Sequence, residues 1–315
     1  MTEIKQNTRL GIGFAFITAI MWGLVPIAMT PVLRDMQPLT LVWYRFMFSA
    51  IGLGVILLLR GNWPKISLLA SRRWMTVLVI AVLGLSGNFI LFSTSLNYLS
   101  ATAAQVIAQI SPVVLMVASV VVLKEKMRRT QVVGGIVLTI GLLLFFNSNL
   151  IEIFTKLTDF TIGIIIGVTA ALIWVVYALA QKILLRRLGT QQIMLLLYIL
   201  CTLLLLPFAS LEEIYLLNDL QLGSLIFCGV TTVISYGALA EAMVRWKAAQ
   251  VSAIVTLTPL FTLLFADLLA LFWPTKFAFQ TLNTLAYIGA FLVVAGAMFS
   301  AVGHRLLPKR NEQHQ

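Results

Sequence analysis

Ten predominantly apolar stretches divide this chain, near 11–30, 39–59, 75–97, 101–123, 131–148, 161–182, 190–209, 221–243, 248–272 and 283–303. Each approaches the roughly 20 residues that a helix needs to cross a bilayer core. No other feature constrains the fold so tightly. In hydrocarbon every backbone N–H and C=O must be paired, and a helix does this within its own segment. With 60% hydrophobic and 10% charged residues, the 315-residue chain carries more apolar surface than a soluble domain of that size buries. The expected fold class is an all-α integral membrane protein with ten transmembrane helices.

Charge orients these spans. Placed on alternating loops, 18 of the 22 Lys and Arg residues fall on one side, among them Arg60, Lys65, Arg72, Arg73, Lys182, Arg186 and Arg187. Arg34, Lys156 and Lys276 fall on the other, and Arg45 lies inside a span. Basic loops are retained in the cytoplasm, so both termini are expected there. Asp35, Glu152, Asp159, Glu212, Glu213 and Asp219 show the opposite bias. The net charge of +11 is thereby assigned to topology and anionic lipid, with no nucleic-acid partner. Cys201 and Cys228 lie in apolar runs without disulfide or metal spacing and read as packing residues. His304 and His314, both at the C-terminal end, offer no intramembrane ligand, and no cofactor is implied.

The chain also repeats itself. Gly11 and Trp22 in the first run match Gly163 and Trp174 in the sixth. Gln105, Gln109 and Pro112 match Ser252, Thr256 and Pro259 at a constant shift of 147, and the pair Gly134, Gly141 recurs as Gly289, Gly296. Five spans per repeat is an odd number, so the second half enters the membrane from the opposite face. In many carriers such an inverted repeat places the substrate site near the midplane between the halves.

These residues, with Met21–Trp22–Gly23, Trp43–Tyr44–Arg45–Phe46, the stretch from Ser95 to Ala104, Ser111–Pro112 followed by Glu125, and Leu257–Thr258–Pro259–Leu260, resemble the drug/metabolite transporter superfamily, specifically its EamA-type ten-span carriers. The resemblance covers residues 9–149 and 160–303, leaving a cytoplasmic tail at 304–315. It implies export or exchange of small metabolites, including amino acids and drug-like compounds, across the bacterial cytoplasmic membrane. The second half departs from the pattern, because Phe272 stands where the family often carries an acid.

Candidate site residues follow from polarity at depth. Thr102, Gln105 and Gln109 share one helix face, with Ser252 and Thr256 as their counterparts. A Gln facing lipid costs several kcal/mol, so these stripes face a cavity or a neighbouring helix. Pro112 and Pro259 each free a carbonyl one turn earlier and can act as hinges. Trp22 and Trp174 lie at mid-depth, away from the interfaces where anchoring tryptophans sit, and suit a cavity wall or close packing. Asn88, Tyr177 and Tyr236 lie near the same depth. Arg45 and Asp267 share a depth on different spans, which allows an ion pair. Glu241 suits a pair with Arg245 one turn on, and the alternative is that Glu241 or Asp267 takes a proton during coupling. The four glycines suit close packing between the halves or between protomers of a homodimer.

The expected function is a secondary carrier for a small amphipathic molecule, with membrane lipid as its other partner. A lipid-processing enzyme needs a buried His, metal-ligand spacing or a close acidic pair, and none is visible. An ATP-driven pump needs a P-loop, which is missing. A channel or structural partner is the alternative.

Overall fold

The computed structural model describes residues 8–123, 129–246, 248–274 and 282–306. Glu125 and the tail from 307 onward lie outside them. Among the described residues the chain is helical without strands. The first half holds α1 (Thr8–Val32), α2 (Pro38–Leu59), α3 (Arg72–Ser95), α4 (Ala101–Ala108), α5 (Ile110–Leu123), α6 (Arg129–Phe145) and the short α7 (Leu150–Thr155). The second holds α8 (Asp159–Leu184), α9 (Thr190–Leu205), α10 (Asp219–Arg245), α11 (Ala248–Val255), α12 (Thr258–Phe272) and α13 (Thr284–Leu306).

Local chemistry sets several of the boundaries. Ser100 Oγ accepts from the Ala103 N–H at 3.2 Å to open α4. Thr158 does the same for Thr161 at α8. Asn218 and Gln221 exchange side-chain and backbone hydrogen bonds as a capping box at α10. Pro38 stands in the first turn of α2, where its missing N–H costs nothing.

Among the described residues eight helices are long and apolar enough to cross a membrane, and nine if α6 and the segment Asn147–Thr155, bent by 63° at their junction, count as one. The sequence leads one to expect ten. The difference lies in the stretch 101–123, where the helix breaks at Gln109 and leaves two short pieces. Pro112 is the physical cause close by, since its ring nitrogen offers no hydrogen to the Ala108 carbonyl. The same break recurs 147 residues later, between α11 and α12, beside Pro259. There Thr258 Oγ1 donates to the Val255 carbonyl at 2.6 Å and replaces the hydrogen bond that Pro259 cannot make.

The two halves interlock. α1 runs along α10 and α3 along α8, so each half's first long helix lies on the third long helix of the other. α2 faces α9, and the α4–α5 and α11–α12 segments lean on α8 and α1 respectively. The largest apolar cluster joins Phe46 and Leu41 of α2, Leu85 of α3 and Leu195 and Tyr198 of α9. The outer surface is also apolar: Ile51, Val55, Ile136, Ile165, Leu264 and Phe291 are exposed, as suits a lipid-facing wall.

α6 and α13 meet backbone to backbone. A Cβ added to Gly134 would lie 2.5 Å from the Ser300 nitrogen and 2.6 Å from the Gly296 oxygen. One added to Gly141 would lie 2.5 Å from the Val293 nitrogen. The glycine pairs of the two halves therefore pack against each other within one chain, and not on a surface free to receive a second protomer.

Candidate functional site

Helices from both halves line a half-open cavity of about 370 Å³, the size range of small-molecule sites. Trp22, Asn88, Gln105 and Gln109 line it from the first half, and Trp174, Tyr177, Tyr236, Ser252 and Thr256 from the second. Arg45 and Pro112 also reach it. A constant step of 147 residues takes Asn88 to Ser235, Phe89 to Tyr236, Phe92 to Leu239, Gln105 to Ser252, Gln109 to Thr256 and Ser111 to Thr258, all of them lining residues. A step of 152 takes Trp22 to Trp174 and Val25 to Tyr177, again on the wall.

Hydrogen bonds across helices fix the polar members. Asn88 Nδ2 donates to the Ala170 carbonyl at 2.9 Å, tying α3 to α8. Gln105 Nε2 donates to the Trp22 carbonyl at 3.2 Å, tying α4 to α1. Ser111 Oγ reaches the Ala171 carbonyl at 3.3 Å. Behind the wall, Thr262 Oγ1 donates to the Gly23 carbonyl at 2.9 Å. Gly23 lets α1 and α12 approach, since a Cβ there would meet Phe261 Cβ at 2.9 Å. The Trp22 ring stands edge-on to Tyr236 at 5.4 Å, and Tyr236 edge-on to Tyr198 at 6.4 Å. Tyr177 Oη and Gln181 Nε2 both point at Met194 Sδ, at 3.4 and 3.2 Å.

Arg45 departs from the expectation. Its side chain is buried, with only 6% of the residue exposed, and no ion pair joins it to Asp267. Its Nη1 lies 3.3 Å from Met29 Sδ, its Nη2 lies 3.3 Å from Thr232 Oγ1, and its guanidinium carbon sits 4.8 Å over the Phe89 ring. Asp267 instead accepts a 3.4 Å contact from Tyr287 Oη on α13. Equal depth along two helices does not fix the angle around the bundle, and α2 and α12 turn these side chains toward different neighbours. Glu241 lies off the cavity wall and pairs with Arg245 one turn on. Arg245 in turn covers the Phe14 ring at 5.4 Å. Pro259 is buried behind Thr258, and Thr102 is fully buried beside the cavity without reaching it.

The sequence reading missed Gln181, Thr232 and Ser235. A signal for each was present. Gln181 stands one helical turn beyond Tyr177, Thr232 stands one turn before Tyr236, and the shift that relates the two stripes carries Asn88 onto Ser235.

The model of the EamA-like transporter family matches twice, over residues 9–147 and 161–302. The chain belongs to the EamA-like transporter family. Among relatives, the uncharacterized inner membrane transporter YhbE of Escherichia coli (strain K12) is 59% identical over 303 residues, covering 96% of this chain and 94% of its own. An uncharacterized transporter of Haemophilus influenzae (strain Rd) is 42% identical across 98% of this chain and its own full length. A crystal structure of a protein 18% identical in sequence matches 96% of this chain with a TM-score of 0.66, a likeness of fold alone. This EamA-like protein is thus a multi-span transporter of the inner membrane, in the drug/metabolite transporter superfamily. In it, the cavity joins residues from both matched segments.

Proposed function

We propose that this transporter is a secondary carrier that exports or exchanges a small amphipathic metabolite, such as an amino acid or drug-like molecule, by alternating access at the cavity. In this reading the chain makes ten crossings in two inverted five-helix repeats, with both termini cytoplasmic, a topology suited to this mechanism. One of these crossings is then the broken α4–α5 segment and another the bent α6–α7 pair. The observation that carries the proposal is the lining itself. Most of its residues come in pairs, one from each half, at a step of 147 or 152, around a space that both halves line. When one half takes the other's shape, the same pairs stay around the ligand while the opening changes side. The aromatic members Trp22, Tyr236 and Trp174 suit a ring or an alkyl body, and Gln105, Gln109 and Ser252 suit its polar groups.

The test uses single cysteines at Ala108 and Val255, a 147-spaced pair on the wall, with Cys201 and Cys228 replaced by alanine. A carrier lets a membrane-impermeant maleimide reach each position from either face, and a transported compound slows labelling from one face while speeding it from the other. Equal labelling from both faces that no compound alters is the behaviour of a fixed pore and would overturn the proposal. So would inaccessibility from both faces, the behaviour of a static bundle.

A further inference from the structure

Arg45 presents a charge that the protein itself does not answer. A guanidinium stays ionised in proteins, and a buried ion costs heavily unless it is paired. A structural arginine normally meets that cost with a carboxylate or several carbonyls. Here its partners are a thioether, a hydroxyl and a phenyl ring, all neutral. The Thr232 hydroxyl gives its own hydrogen to the Cys228 carbonyl at 2.7 Å, so it offers Arg45 only a lone pair. Nε, buried, has no partner at all. Among the described lining residues no Asp, Glu or Lys faces the cavity. Nor does the repeat supply a second cation, because the 152-residue step takes Arg45 to Leu197, which is fully buried.

Resting on the cavity being the substrate site, we propose that the substrate carries a carboxylate, that Arg45 receives it, and that the rest of the molecule is neutral and lies against Trp22 and Tyr236, which narrows the class proposed above to monocarboxylates without an ammonium group. A carboxylate accepts two parallel N–H bonds from a guanidinium edge, and the single positive charge matches one negative charge.

Matched triplets of acid, amide and amine decide this with the wild-type chain in detergent: 3-phenylpropanoate, 3-indolepropanoate and octanoate, each with its amide and its chain-matched amine. Binding is read by thermal unfolding and by titration. In at least one triplet the acid binds about tenfold or more tightly than its amide, the range for hydrogen bonds to a charged group, and the amine binds weakest. Arg45→Gln removes that preference and Arg45→Lys keeps part of it. The proposal falls if no acid outbinds its amide by more than about twofold, or if a folded Arg45→Gln keeps the preference. Because the wild-type comparison needs no variant, a misfolded Arg45→Gln leaves the test intact. Amides or amines that bind equally well, and lose binding in Trp22→Ala, would overturn the anion while leaving the cavity as the site. Acid binding lost in Arg45→Gln but unchanged in Trp22→Ala would count against the ring contact and the cavity reading.

Discussion

Asn88 and Trp22 separate two jobs that a wall residue can do. Asn88 holds α3 to α8 through one hydrogen bond to the Ala170 carbonyl. Asn88→Leu should destabilise the fold modestly, by the ~1 kcal/mol typical of an interhelical hydrogen bond in a membrane, read as a small drop in thermal midpoint, with little effect on ligand affinity. Trp22 meets Gln105 through its backbone carbonyl, and its ring, edge-on to Tyr236, lines the cavity where a ligand can reach it. Trp22→Ala should therefore cost about tenfold in substrate affinity or transport, the worth of a lost aromatic contact, at nearly unchanged stability. If both variants lost stability alike, Trp22 would be a packing residue. Residues of this kind were legible in the sequence because a polar group at mid-span must find a partner or a wet space. The partner of Arg45 was not legible. Depth can be counted along a chain, whereas the direction of a side chain around the bundle depends on contacts between helices.

The α6–α13 seam behaves as one element made of two. Gly141→Leu or Gly289→Leu places a side chain where the facing backbone already sits, and should destabilise by about 3 kcal/mol or more. Gly223→Ala is the contrast: a Cβ there meets nothing within 4 Å, so the change should leave stability unaltered or raise it by up to ~1 kcal/mol, the helix-propensity gain. Thermal unfolding in detergent distinguishes the two, and equal effects would mean that α6 and α13 do not touch. The seven-residue glycine spacing was readable from sequence, but the identity of the facing surface was not. The breaks in the two proline-containing segments were only half readable. Proline announces a missing donor, but not how the carbonyl it leaves free is satisfied, as the Thr258 hydroxyl satisfies that of Val255 at the break.

At the scale of the molecule, the basic loops predict that reporters fused after residue 315 face the cytoplasm. A C-terminal green fluorescent protein should fluoresce and a C-terminal alkaline phosphatase should be inactive; the reverse would overturn the orientation and the pairing of termini. The helical membrane class was legible from composition because bilayer thickness sets a length that few other folds share. The crossing number was less so, since a run of apolar letters does not reveal where a helix snaps or bends. Most of the wall is doubled, residue answered by residue at a step of 147 or 152, yet the 152-residue step takes Arg45 to Leu197, off the wall. In a carrier whose two end states exchange the shapes of its halves, that one unmatched ion makes the end states unequal in energy. Such a molecule has a resting pose even with nothing bound, and a membrane voltage can tilt the balance, at about 2.3 kcal/mol per 100 mV for a full charge crossing the field.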